Sequence, residues 1–245
     1  MQPLTRGHYT ARLADGSPDM DAGLTLRRMC FRPGQDRSDL DGFDAACRHV
    51  LITANGAVVA CFRVQLFAGR QSLSHSYAAQ FYDLAPLDPQ ARPMLELGRF
   101  CLHPAHADPD ILRLAWAALT RLVDDAQVRL LFGCSSIPGA DAARHLPALG
   151  HLAHHHLGPA AIRPRRRAPG SIDLRPLADP AHAPALPPLL KTYLSMGGWV
   201  SDHAVLDRDL NTTHVFTALD IAAIPVARAR ALRLLAQTAP FTQTG

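Results

Sequence analysis

The chain of 245 residues is 48% hydrophobic and 19% charged, enough apolar material for a sizeable core in one large domain or in a domain with an appendage. No window approaches 18 uninterrupted apolar residues, which argues against a transmembrane helix, and the charges within Met1–Asp15 argue against an export signal. Five scattered cysteines without a C-x-x-C pair point to reduced, mostly buried thiols in a cytosolic protein. The net charge of +4 is mild but uneven, with basic knots at Arg163, Arg165, Arg166 and Arg167 and at Arg228, Arg230 and Arg233.

Residues His8 to Leu13 read as a strand ended by a turn at Asp15-Gly16-Ser17-Pro18. Asp19 or Asp21 then caps a helix to about Phe31, where Arg27 and Phe31, four apart, share a face. Pro33-Gly34 stops it, and Asp39, Asp41 and Asp44 follow in a run that reads either as a solvated turn or as a site. His49 to Ala54 and Ala57 to Phe67 are strands joined by the tight turn Asn55-Gly56, with Arg63 inside the second. Gln71 to Leu84 is predicted as a helix ending in Phe81-Tyr82, before breaks at Pro86, Pro89 and Pro93.

The stretch Leu95 to Pro104 is apolar and β-prone, yet it holds Glu96 and Arg99. Strict alternation sends these two to opposite faces. A bulge at or beside Gly98 would bring them together; otherwise they have different faces and different jobs. A helix begins at Asp108-Pro109-Asp110, and Val128 to Cys134 forms the next strand, followed by a loop at Gly133-Cys134-Ser135-Ser136. A helix from about Asp141 to His151 leads into His154-His155-His156. Residues 158–184 are a Pro- and Arg-rich excursion rather than a separate domain. Pro187 to Met196 is a helix, Trp199 to Leu206 and His214 to Asp220 are strands, and Ile224 to Leu235 is a final basic helix. The order predicts a mixed α/β sheet with helices on its faces in a single domain.

Several chemistries find little support. Consecutive side chains diverge, so His154, His155 and His156 cannot easily ligate one ion, and no H-E-x-x-H is present; no metal is expected. Gly133-Cys134-Ser135-Ser136 is not a G-x-S-x-G elbow. The strand-to-helix turn from His103 to Pro109 has no glycine, two prolines without N–H groups, and Asp108 at the cap. A nucleotide pyrophosphate is disfavoured there. A nucleic-acid-binding module using the arginine knots would lack interleaved aromatics, at 6% of the chain. Arg27, Asp41, Asp44, Arg63, Glu96 and Arg99 instead set both signs of charge into apolar context. Such a set suits a zwitterionic ligand, or an internal network of ion pairs.

The chain resembles the ornithine lipid-forming N-acyltransferases of the GNAT-like superfamily. Three blocks carry the likeness: Asp41-Gly42-Phe43-Asp44 through Arg63; Phe81-Tyr82 through Leu95–Arg99, Cys101 and His103-Pro104 to Leu131–Ser136; and Pro187–Leu194 with Asp207 and Asn211-Thr212-Thr213-x-Val215-Phe216. A more distant likeness is to acyl-homoserine lactone synthases, whose functional pattern falls on Arg27 and Phe31, Asp41 and Asp44, Arg63, and Glu96 and Arg99. The tryptophan of that family is missing from Pro33–Leu40.

The resemblance implies a GNAT-like sheet, splayed at the strand holding Glu96, with the acyl-pantetheine arm in the splay and direct attack by the amine. It implies transfer of a (3-hydroxy)fatty acyl group from acyl-carrier protein to the α-amine of ornithine. Lactone synthesis or acylation of lysine or glutamine are the alternatives. No cofactor of its own is implied, since the donor carries the phosphopantetheine. Glu96 would be the base, direct or through water, and Arg99 would be the second catalytic residue. Arg27, Phe31, Asp41, Asp44, Arg63, Phe100, Cys134 and Ser135 would bind substrate. Asp41 and Asp44 would hold an ammonium or order the loop that does; Arg63 and Arg99 would order that acidic cluster or meet the carboxylate. An arginine knot would dock the carrier or touch an anionic membrane from the cytoplasmic side; no nucleic acid is expected.

Overall fold

A computed structural model describes residues 1–68, 70–87, 93–106, 108–182 and 184–237, so the break expected at Pro89 and the Ala107 position of the His103–Pro109 turn lie outside the described residues. In chain order the elements begin with β1 (Leu4–Arg6), β2 (Tyr9–Leu13), α1 (Gly16–Phe31), β3 (Arg48–Ala54) and β4 (Ala57–Phe67). They continue with β5 (Tyr82–Asp83), β6 (Met94–Leu102), α2 (Pro109–Asp125), β7 (Leu130–Pro138) and α3 (Ala142–His155). Then follow β8 (Arg165–Arg166), β9 (Ile172–Asp173), α4 (Pro188–Ser195), β10 (Trp199–Asp207), β11 (Thr212–Asp220) and α5 (Val226–Gln237). This is the expected mixed α/β architecture. The chain divides into two compact units, one of Met1–Leu66, Leu97–Val128 and the segment from Val226, the other of Phe67–Glu96 and Arg129–Pro225.

In the first unit β1, β2, β3 and β4 form an antiparallel meander. Asn55 and Gly56 both take positive φ, at 49° and 86°, and close the β3–β4 hairpin in the left-handed form that matches strand twist. Helix α1 starts at Gly16, earlier than the Asp19 or Asp21 cap expected, so Gly16-Ser17-Pro18 is its first turn and not a loop. The reason is local: Asp19 accepts from the backbone N–H of Asp15 at 2.7 Å and pairs with Arg12 of β2, which stabilises the negative charge in the first turn. Gly23 lets the helix settle on the sheet, since a Cβ there would meet Leu51 Cδ2 at 3.2 Å. Leu26, Leu51, Cys61 and Cys101 form the buried layer between them.

Helix α2 begins where expected. Asp108 caps it by accepting from the N–H of Asp110 at 2.8 Å, and Pro109 occupies the first turn. Ile111, Leu114, Ala115, Ala118, Leu119 and Leu122 recur at helical spacing and are buried. Helix α5 lies against α2, burying Leu232 and Ala236, and Arg233 forks onto Asp124 at 2.9 and 3.0 Å.

In the second unit β7 pairs antiparallel with β11, β11 with β10, and β10 with β9. The opening residues of β6 pair in parallel with β7, and this ladder ends at Glu96 opposite Phe132. The loop expected at Gly133–Ser136 is strand instead, because β11 continues along it to Pro138. Helix α3 runs four residues beyond the expected His151, taking in His154 and His155.

The helix predicted over Gln71–Leu84 is absent. Two 3₁₀ turns, Arg70–His75 and Ala78–Gln80, are followed by β5, which pairs with β8. Ser76 explains part of this: its hydroxyl accepts from the N–H of Ala79 at 3.1 Å and offers the backbone an alternative to the helix. Tyr82 is fully buried with Phe67, Phe132, Trp199 and Phe216, and an extended segment carries it there.

Candidate active site

Two constellations hold the residues singled out by the sequence. The first unit contains a lattice of buried charges. Arg27, on the inward face of α1, donates from Nε to Asp39 Oδ2 at 2.9 Å and from Nη1 to Asp44 Oδ1 at 2.7 Å. Its Nη2 reaches the carbonyl of Asp39 at 2.7 Å and Asp44 Oδ2 at 3.1 Å. Arg63, from β4, donates to Asp41 at 2.6 and 2.9 Å and to Asp44 at 2.7 Å. Arg99, from β6, reaches Asp39 Oδ2 and Asp41 Oδ2, each at 2.9 Å. Four guanidinium groups, counting Arg32 with its Nε 3.2 Å from Asp39 Oδ1, thus meet three carboxylates.

The electrostatics follow from this geometry. Burial alone would push the Asp44 carboxyl up, but hydrogen bonds from Arg27, the Asp41 N–H and Arg63 hold it well below the usual carboxylate range. Asp41 is lowered in the same way, with burial opposed chiefly by Arg63. Burial pulls Arg63 down, and Asp41 and Asp44 more than restore it. Asp41 is the one partly open carboxylate, its side chain 23% exposed against 0% for Asp39 and 2% for Asp44. Two aromatic rings stand against the lattice: Phe31 lies 5.7 Å from the Arg99 guanidinium and Phe43 lies 5.9 Å from that of Arg63. Phe100 stacks on Phe62 with centroids 5.8 Å apart.

Sequence reasoning selects Asp41 and Asp44 and passes over Asp39 and Arg32. Asp39 is the most enclosed of the three carboxylates and is gripped by one arginine from α1 and one from β6. The only signal for it in the sequence is its place in the same short acidic run. The irregularity sought near Gly98 falls on Arg99, whose φ is +50°. A left-handed arginine inside a strand costs on the order of 1 kcal/mol, and its two carboxylate partners hold it there.

The second unit holds Glu96. Its carboxylate is buried and accepts from the N–H of Tyr77 at 2.9 Å and of Ala78 at 2.7 Å, at the start of the second 3₁₀ turn. The Tyr77 hydroxyl donates toward Asp207 Oδ2 at 3.4 Å. In the same unit, Tyr82 places its hydroxyl 3.0 Å from His214 Nδ1 and 3.1 Å from the His214 carbonyl. Burial lowers His214 to about 4, so its ring is neutral at pH 7. Cys134 packs against the aromatic cluster, and Ser135, its neighbour on β7, is buried. Sequence reasoning misses Tyr77 and His214: one lies in a segment read as helix and the other in an ordinary strand pattern.

The turn before α2 is already occupied. Asp108 accepts from Asp110 N–H and also from the Tyr9 hydroxyl at 3.0 Å, and the Ala105 N–H donates to His103 Nδ1 at 3.2 Å. An anion at this helix start would displace a carboxylate.

Residues 26–117 match the Acetyltransferase (GNAT) domain. The L-ornithine N(alpha)-acyltransferase of Rhodobacter capsulatus is 34% identical over 236 residues, covering 88% of this chain and 91% of that protein. The chain belongs to the L-ornithine N(alpha)-acyltransferase family. The L-ornithine N(alpha)-acyltransferase of Rhizobium meliloti is 29% identical over 239 residues, covering 87% of this chain and 80% of its own. Among solved structures, FeeM, an N-acyl amino acid synthase from uncultured soil microbes, aligns with a TM-score of 0.52 at 13% identity, over 96% of this chain and 98% of that one. That likeness is one of fold. The protein is therefore an acyltransferase with a GNAT fold, and Arg27, Asp39, Asp41, Asp44, Arg63, Glu96 and Arg99 all lie within the matched domain. Among the described residues no helix is long and apolar enough to cross a membrane.

Proposed function

We propose that the protein transfers a (3-hydroxy)fatty acyl group from acyl-carrier protein to the α-amine of ornithine, giving lyso-ornithine lipid. The observation that carries the amine half is the relatedness to an L-ornithine N(alpha)-acyltransferase over 88% of the chain. The occupied turn before α2 supports the donor half: a phosphopantetheine carried on a protein asks less of that turn than a free nucleotide does.

In this reading the neutral amine attacks the thioester carbonyl, the C–N bond forms, and the C–S bond breaks. The proton lost from nitrogen passes to Glu96, directly or through a water, and the departing thiolate of the carrier takes up a proton. The resemblance gives Arg27, Asp41, Asp44, Arg63 and Arg99 a part in holding the substrate, and Asp41, the partly open carboxylate, suits an ammonium. The peripheral partner surface is cationic in both candidates, the knot at Arg163–Arg167 and helix α5, which fits an acidic carrier or anionic lipid.

The test is a product-mass assay with purified protein, acyl-carrier thioester or acyl-coenzyme A as donor, and ornithine, lysine, glutamine or S-adenosylmethionine as acceptor. Acyl-ornithine from the carrier donor is the expected product. A lactone, or a preference for the coenzyme A donor, would overturn the corresponding half.

A further inference from the structure

Helix α3 carries His151 and His155 four residues apart, so both project from one face of its last turn. Asp179 sits over that face. Its Oδ2 is 2.8 Å from His155 Nε2, and its Oδ1 is 4.0 Å from His151 Nδ1. One ligand atom from each of the three residues falls within 4.8 Å of the others. Ligands around a tetrahedral Zn²⁺ at its usual bond lengths stand about 3.4 Å apart, so closing the set needs adjustments of about 1 Å in partly exposed side chains.

The backbone is shaped for this approach. A Cβ at Gly150 would lie 2.1 Å from the carbonyl oxygen of Ala178, so only glycine lets the 177–179 segment come down onto the helix. His154 fastens the same segment through Nε2 to the carbonyl of Leu177 at 2.9 Å, which also removes His154 from the ligand set. Leu149 and Leu152 are fully buried beneath, fixing the helix, and Leu174, also buried, donates its N–H to the carbonyl of Asp202 at 2.9 Å and anchors the far end.

We propose that His151, His155 and Asp179 form a binding site for a borderline divalent cation such as Zn²⁺. Two imidazole nitrogens and one carboxylate oxygen favour Zn²⁺, Ni²⁺ or Cu²⁺ over Mg²⁺ or Ca²⁺. Water completes the coordination on the open side. The ion takes the place of the His155–Asp179 hydrogen bond and ties the 177–179 segment to α3. This site lies apart in sequence from Glu96 and the arginine lattice, and it does not depend on the proposed reaction.

The experiment titrates Zn²⁺ into the full chain, free of any affinity tag, against a chromogenic chelator. One equivalent bound at micromolar affinity or tighter is expected, with about tenfold or greater weakening in H155Q and in D179N and no change in H145Q. Hydrogen exchange supplies the second readout: Zn²⁺ should slow the amides of 175–182 in the native chain and leave them unchanged in the H151Q/H155Q double variant. Circular dichroism checks that each variant is folded. Native affinity in the double variant, or no equivalent bound below about 1 mM Zn²⁺, overturns the site.

Discussion

The carboxylate of Glu96 accepts a 2.7 Å hydrogen bond from the backbone N–H of Ala78, and the neighbouring N–H of Tyr77 binds its other oxygen at 2.9 Å. One side chain thus caps the 3₁₀ turn at Ala78–Gln80 and supplies the base of the proposed reaction. The two duties make separable predictions. In Glu96→Gln one oxygen still accepts, while the amide nitrogen faces an N–H and leaves it unpaired, a loss of about 1–3 kcal/mol. Removing the base lowers kcat by a further factor of about 10²–10⁴. Thermal melts and kcat measured on the same preparation separate the effects. A folded Glu96→Gln with near-normal turnover would remove the base assignment.

The arginine lattice predicts a large structural cost for one substitution. Arg27→Ala takes away the guanidinium that Asp39 and Asp44 share, inside a region where neither carboxylate can turn to water. Breaking a buried charge network by deleting one partner costs about 3–5 kcal/mol. Urea unfolding should show that loss in the midpoint. Asp41→Asn, at the partly open edge, keeps one acceptor oxygen for Arg63 and Arg99, so it should cost less and act mainly on KM for the amine.

Part of this architecture is legible in the amino-acid sequence and part is not. The β3–β4 hairpin is readable because Asn55-Gly56 is a local signal for a left-handed turn, and α2 because Asp108, Pro109 and a wide apolar face agree. The segment 71–84 misleads because what settles it is remote: Glu96, 18 and 19 residues away, takes the N–H groups at the second turn. Asp39 escapes notice because an acidic run reads alike whether solvated or enclosed. Only the convergence of α1 and β6 shows that it is the enclosed one. The early start of α1 depends on Arg12, a strand residue seven positions before Asp19.

Acid sensitivity should report on the lattice. Asp44 has a folded-state pKa depressed below its unfolded value, so it contributes stability fully above about pH 4 and loses it as pH falls through the folded value. Asp41 acts in the same direction. Stability measured by urea unfolding should therefore drop steeply below about pH 4, and Asp44→Asn should flatten that limb while lowering stability at neutral pH. An unchanged acid limb would mean that the carboxylate is not held as its contacts indicate.

His214 predicts a second, milder dependence. Its folded value, lowered to about 4 by burial, lies below that of an unfolded histidine near 6.5, so the unfolded chain binds a proton that the folded chain refuses. Stability should fall as pH drops from about 6.5 to about 4 and owe nothing to this group above that window. His49, His156 and His203 are lowered too, so a bulk denaturation curve alone does not isolate His214. The ring proton shifts of His214, followed by NMR, should stay those of neutral imidazole down to about pH 4. Tyr82→Phe, which strips the hydroxyl from His214, should cost about 1–3 kcal/mol.

If the donor is the proposed acyl-carrier protein, the basic knot predicts how it docks. Arg166 is committed to Asp173 at 2.7 Å, whereas the exposed Arg165 stands 4.0 Å from Asp83 and Arg167 is exposed as well. Arg165 and Arg167 are thus the members best placed to meet an acidic carrier. Reversing them to Glu should raise KM for acyl-carrier protein about tenfold or more, largely through slower association, and should weaken the salt dependence of that KM. The same variant should handle a short acyl-pantetheine thioester as the native enzyme does, because the reacting groups are untouched. Helix α5 offers the comparison: Arg228→Glu with Arg230→Glu should leave the carrier KM unchanged if the knot is the docking surface. A carrier KM that follows the α5 reversal and ignores Arg165 and Arg167 would move the docking site to that helix.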